Sequence, residues 1–468
     1  MTRNRIVAIV VALVAVAGPA RAYDPASTHA GLTQRGIEAS HLHAVLTRKL
    51  GRALGLLEPL RLGAAGSAQG LALRLDALDP AGGYRPAPDN SSTASNWVVA
   101  GAVLAKTPPE RGRNHFLDPR MGAGLHDSPG LTGMAHATGL LFSGGTTVRG
   151  LATGTAFDLE GKPSVKWIWA PENEFGVPAF LDAWERAVAL PQAAARETAL
   201  VQGLLALGGL AAVLEDAGDP AFVRNDFRVA LLGGRNGSTY ESYVTEQFGR
   251  IGVPAATAPV HRPDIDSFFA ASDGLGLANR TQRRFFSEGN LPSEITLDRD
   301  AEAVLRDVRE SLTFPSPSIA RLVLTPGGAT RYLVFEGRRT LAYRVRSGKL
   351  IFFLDRAIFA DSARWLLPQI GGYVAGLIDH LLRADLDIKI EGGKASVALS
   401  GPGSTGGPLR VFAETADGVR TEIPEVLALT PGATVTVAIP NGTRRIAAVV
   451  RGQDQAGPFV AAAEIPLP

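Results

Sequence analysis

The hydrophobic periodicity of this chain switches once, near residue 384, and that switch limits what it can fold into. Before it, apolar residues recur at helical spacing in "GLTQRGIEASHLHAVLTRKLGRALGLL", "ASNWVVAGAVLAK", "PAFLDAWERAVAL", "YESYVTEQFG" and "ARWLLPQIGGYVAGLIDHLLRA". The longest such run opens at Pro191 and ends at Ala217 and Gly218, the usual order of helix punctuation. Beyond 384, short alternating runs such as "LDIKIEG", "KASVALS", "PLRVFAE", "ATVTVAIP" and "RRIAAVVRG" are separated by turn residues, which predicts a β-sandwich of immunoglobulin-like build over 385–468. One interruption lies inside the helical part: between about 321 and 354, β-branched and aromatic runs broken by glycine predict a small inserted antiparallel sheet. The expected fold is therefore mainly α, a helical domain over 23–384 followed by the sandwich.

At 468 residues the chain is long enough for two or three domains and a large core. The net charge of +2 is spread over 47 basic and 45 acidic residues, with none of the concentrated basic footprint that duplex nucleic acid selects. Cysteine is absent, which removes disulfides, thiolate metal sites and thiol nucleophiles and leaves stability to packing. Residues 1–22 read as a signal peptide: Arg3 and Arg5, the apolar run "IVAIVVALVAVAG", then a small-x-small site ahead of Tyr23. Export to a periplasm or the medium is expected, with no membrane span after cleavage.

Chemistry-bearing motifs are sparse. There is no P-loop, HExxH zincin motif, GxSxG elbow or dinucleotide loop. His41 and His43 stand two apart and so project to different helix faces, and His126, His136, His261 and His380 show no ligand spacing. "DGLGLANRTQRRFFSEG" clusters Arg280, Arg283 and Arg284 beside aromatics, readable as a phosphate patch or, more commonly, as a solvated face. "LGGLAAVLEDAGDPAFVRNDF" ends a helix on Asp216 and then turns, a way of presenting a carboxylate to cations, yet it contains no histidine. Asp216 also reads as an ordinary helix-end residue opening a turn.

Taken in order, "THAGLTQRGIEAS", "GAVLAKTPPERGRNHFLDP", "LGGLAAVLEDAGDPAFVRNDF" and "GSTYESYV" resemble bacterial zinc-dependent phospholipase C and the related single-strand nucleases, over about residues 23–384. That resemblance implies a helical domain built round a three-metal cluster that cleaves phosphodiesters, clustered zinc ionising a water and clamping phosphate oxygens. Carried over by motif, the ligand positions that remain are Tyr23 (as the mature amino terminus), His29, His115, Asp216 and Glu241. Four positions depart from the pattern: Ala212, Phe222 and Gly237 stand where histidines are expected, and an expected aspartate aligns best with Lys106, with Ala105 and Glu110 as the alternatives under a shifted alignment. With about three protein ligands needed per zinc, no zinc or a single one is expected, and the full cluster is not.

Lys106 carries a further expectation, that its ammonium replaces lost positive charge by pairing with Asp216 or Glu241, since an unpaired buried carboxylate is costly. It is also readable as an ordinary cation near a helix C-terminus. Three functions follow: an exported binding protein on a degenerate phosphodiesterase scaffold, recognising a phosphate ester or lipid headgroup; an active phosphodiesterase using one metal; or a structural envelope protein with a partner on the sandwich.

Overall fold

The structure is a computed structural model that describes residues 23–63, 65–126, 160–226, 239–291, 294–296, 321–323, 330–401, 406–424, 427–429 and 432–467. The expected signal peptide, Gly237, His136 and most of the glycine-rich stretch after 126 lie outside these residues.

The body is organised round helix α6. The helices that build the body and its site are, in chain order, α1 (Ala30–Ala39), α2 (Leu42–Arg48), α3 (Ala65–Leu78), α4 (Ala94–Leu104), α5 (Val177–Ala189) and α6 (Ala193–Asp216), then α7 (Pro220–Val223), α8 (Tyr240–Phe248), α9 (Leu277–Arg284) and α10 (Arg356–Leu381). By length and hydropathy α6 is apolar enough to cross a membrane, yet 83% of its most apolar window is buried inside the protein. A helix apolar on all sides must be covered on all sides, and α4, α5 and α10 supply much of that cover. The α4 crossing is unusually close: a Cβ added at Gly208 would lie 1.7 Å from the Val98 carbonyl oxygen, and one at Gly101 would lie 2.0 Å from that of Leu205. Helix α10 begins at Asp355, whose carboxylate accepts from the amides of Ala357 and Ile358. The single helix expected over 30–58 is broken, because Ser40 is extended and ends α1.

Strands β1 (Pro59–Arg61) and β2 (Ser91–Thr93) pair antiparallel among the first helices, and the inserted sheet that follows begins earlier than expected. Its antiparallel order is β3 (Ile295–Thr296), β7 (Lys349–Phe353), β6 (Arg338–Arg346), β5 (Arg331–Phe335) and β4 (Arg321–Val323). Leu333, Leu341, Tyr343, Leu350 and Phe352 form its own small core with Phe286, and β6 lies on α10.

After α10 come β8 (Asp385–Glu391), β9 (Lys394–Ser400), β10 (Gly407–Glu414), β11 (Arg420–Glu422), β12 (Leu427–Leu429), β13 (Thr434–Ala438), β14 (Arg445–Asp454) and β15 (Gly457–Pro466). They make a three-stranded sheet, β13-β9-β8, and a larger one, β11-β10-β14-β15 with β12 on β10. The sheets share a core in which Leu386, Val397 and Leu399 meet Val411, Ile446 and Val450. The outer face of the larger sheet is buried as well: Phe412, Ala447, Val449, Val460 and Ala462 join the main helical core. Arg420 donates to the Val188 carbonyl oxygen at 2.8 Å and Arg196 to Glu414 at 2.8 Å, closing the seam.

The mainly α expectation is therefore overturned. Among the described residues 42% are helix and 23% strand, with several small antiparallel sheets and a strand-rich C-terminal region. The physical reason lies in β14: its burial runs through five consecutive residues, Ile446 to Val450. Its sheet is a middle layer between a second sheet and a helix layer, so the strands are integral to the main core.

Candidate functional site

Five segments meet at the C-terminal end of α6. A π-helical turn, Pro25–His29, leads into α1 and carries His29, with Thr33 one turn on. Lys106 lies just past the end of α4, and a 3-10 turn, Pro109–His115, ends on His115. Helix α6 supplies the consecutive carboxylates Glu215 and Asp216. Asp219 caps α7 by accepting from the Ala221 amide at 2.8 Å, and α7 carries Phe222. Thr239 caps α8 and places Glu241 in its first turn. His115, Glu215, Asp216 and Asp219 are completely buried, and His29 and Glu241 nearly so.

The ammonium of Lys106 occupies the middle of this cluster. Its Nζ donates to Asp216 Oδ1 at 2.8 Å and stands 3.2 Å from His29 Nε2, which accepts from it when the ring is neutral. It also lies 4.6 Å from the centroid of the Phe222 ring, a cation on an aromatic face. The second oxygen of Asp216 meets His115 Nδ1 at 2.7 Å. His29 Nδ1 meets Glu215 Oε2 at 2.5 Å, and Thr33 donates to the other Glu215 oxygen at 2.6 Å.

Burial alone would raise the Asp216 pKa, but Lys106, His29 and His115 outweigh it and hold the carboxylate far below its ordinary range. For His29, burial and Lys106 push downward while Asp216 and Glu215 push upward more strongly, so the imidazole is raised overall. Burial raises Glu215 against its bonds to His29 and Thr33, and burial lowers His115 against Asp216.

A second group lies beside the first. Burial, reinforced by the charge of Glu241, raises Asp219 well above its ordinary value, and burial raises Glu241 too. Asp219 Oδ2 and Glu241 Oε2 find no donor among the described residues. Two adjacent buried carboxyls are compatible only if a proton is shared between them. The Tyr23 hydroxyl stands 3.3 Å from the Gly218 carbonyl oxygen and 3.4 Å from the Tyr240 hydroxyl, and the Tyr23 ring is edge-on to His29 at 5.8 Å. Burial raises both phenols.

This arrangement does not fit a cluster of divalent metals. Both oxygens of Asp216 are already engaged, and a cation bridging His29 Nε2 and Asp216 Oδ1 would need the space held by the ammonium. Ala212 offers no donor and packs against Ala102 and Ala105. Phe222 is stacked on Phe116, with ring centroids 4.4 Å apart. Among the described residues, no group of three or more histidines or carboxylates is arranged to hold a metal ion. The cation that the structure places against Asp216 is the Lys106 ammonium.

The structure thus brings Tyr23, His29, Lys106, His115, Ala212, Asp216, Phe222 and Glu241 to one end of α6, while Gly237 lies outside the described residues. Sequence reasoning missed Glu215, Thr33 and Asp219. For Glu215 a signal existed: α6 carries no charged residue between Glu197 and Glu215, so the first carboxylate of "ED" needs a partner as much as the second. His41, by contrast, precedes α2 at the surface and pairs with Asp379 at 2.9 Å.

No family model, curated protein or solved structure matches this chain.

Proposed function

We propose that this chain is an exported, non-catalytic binding protein whose helical body derives from a zinc phosphodiesterase pocket in which a lysine has taken the place of the metals. The observation that carries this reading is Lys106 Nζ 2.8 Å from Asp216 and 3.2 Å from His29. The ammonium meets a buried carboxylate, an imidazole and an aromatic ring, and the carboxylate and imidazole are positions that the resemblance assigns to metals. Such a centre is locked: its carboxylate is neutralised internally by the ammonium and the imidazoles bonded to it. Binding is therefore assigned to the exterior of the scaffold, with a phosphate ester or lipid headgroup as the ligand class.

A second reading, turnover with a single metal, is favoured by one observation: His115 Nε2 is buried without a hydrogen-bond partner among the described residues. The two separate by experiment. Metal content is measured on the purified chain, and hydrolysis of a generic phosphodiester is followed with and without added zinc. The binding-protein reading expects no zinc-dependent turnover. Turnover that requires zinc and disappears in His115→Ala overturns it.

A further inference from the structure

Away from that centre, α9, the β5–β6 hairpin and α10 converge on Trp365. The guanidinium carbons of Arg280, Arg284 and Arg338 lie 5.1, 5.2 and 5.3 Å from its ring centroid. All three therefore fall within roughly 10 Å of one another, close enough for one compact anion to reach more than one of them. The carboxylates nearby do not balance this charge. Glu336 accepts from Arg284 through two bonds of 3.1 Å and lies 3.3 Å from Arg338, so one acid is divided between two cations. Arg280 has no carboxylate partner among the described residues. Asp361, one helical turn before Trp365, is taken by Arg339 at 2.8 and 2.9 Å.

The ring and one of the arginines have further support. Trp365 is braced by Phe285, with ring centroids 5.6 Å apart, and Arg284 stacks on Phe335 as well, at 5.6 Å. Glu336 sits at the tip of the two-residue turn between β5 and β6 with a positive φ of 46°, followed by Gly337 at 79°. Holding three guanidinium groups together against their repulsion is unfavourable, and an indole relieves only part of it. An anion would remove the rest, and planar forks already set on an aromatic face lose little freedom in binding one.

We propose that Arg280, Arg284 and Arg338, gathered on Trp365, form a binding site for a phosphate group, either free or at the end of a lipid headgroup. This deepens the binding-protein reading and rests on it for the ligand class. It does not depend on whether Lys106 excludes metal.

The test uses the full chain at constant ionic strength. The indole N–H resonance of Trp365, assigned by its loss in Trp365→Phe, is followed during titration with inorganic phosphate and, separately, with chloride. Sedimentation with phosphatidylcholine vesicles, with and without phosphatidic acid, forms the second arm. The site predicts a saturable shift with phosphate and none with chloride, weakened by roughly tenfold or more in Arg280→Ala/Arg338→Ala. Binding only to vesicles containing phosphatidic acid, lost in the same variant, supports the site with the headgroup as its source. A Trp365 resonance unmoved in the wild type, with no vesicle binding, overturns the proposal even if the double variant fails to fold. Binding unchanged in a folded double variant overturns it too. Neither failure touches the metal account, which is read by metal content.

Discussion

Replacing Lys106 with methionine keeps most of the side-chain volume and removes only the ammonium. The Lys106 side chain is 17% exposed and Asp216 is fully buried, so the substitution leaves a carboxylate with no route to water. Removing one partner of a buried pair costs about 3–5 kcal/mol. His29 and His115 still contact Asp216, which places the expected loss near the lower end, about 3 kcal/mol. Urea denaturation at pH 7 measures it. The loss should also depend on pH in a definite direction. Asp216 has a depressed folded pKa, so its stabilising contribution is present above the unfolded carboxylate value and lost only as pH falls through the much lower folded value. Without Lys106 the folded value rises. The deficit of the variant is then complete above that raised folded value and shrinks as pH falls through it, where the carboxylate takes a proton. In Lys106→Met/Asp216→Asn the charge is gone altogether, and the double variant should be more stable than the single one. A loss below about 1 kcal/mol, the scale of an exposed ion pair, or a deficit unchanged between pH 7 and pH 3, would refute the reasoning.

Three further outcomes follow from the same geometry. Ala212→His restores the imidazole of the resembled family at a fully buried contact with Ala102 and Ala105, so overpacking should cost about 2 kcal/mol or more in chemical denaturation, with or without zinc. Gly208→Ala places a methyl 1.7 Å from the Val98 carbonyl oxygen; the helices must separate, and denaturation should show a loss of about 3 kcal/mol or more. Asp219 and Glu241 have raised folded pKa values, so their contribution is complete below the unfolded values and lost as pH rises through the folded ones. Glu241→Gln should flatten that decline, which denaturation midpoints measured from pH 5 to pH 9 would reveal.

Legibility in the sequence tracked how local the governing physics was. Periodicity and caps located α4, α6, α8 and the strands after 384, because each is set by neighbours a few residues away. Layering was hidden: nothing in "RRIAAVVRG" says that both faces of β14 are covered, since that depends on α5, more than two hundred residues earlier. The inserted sheet was placed too late because β3 is only two residues long and pairs with β7 across fifty residues. At the centre, the positions of Lys106 and Asp216 were readable from motif order, whereas Glu215 and Asp219 were not, because their importance comes from burial and from partners on other segments. The arginines of α9 were visible as a run, but their meeting with Arg338 and Trp365 is purely tertiary.

The most direct test of the central claim is a crystal of the chain grown in excess zinc, with diffraction recorded at the zinc edge. The account predicts no anomalous peak among His29, His115 and Asp216, with Lys106 Nζ still bonded to Asp216. Two or more zinc ions there at full occupancy, with Lys106 displaced, would contradict it.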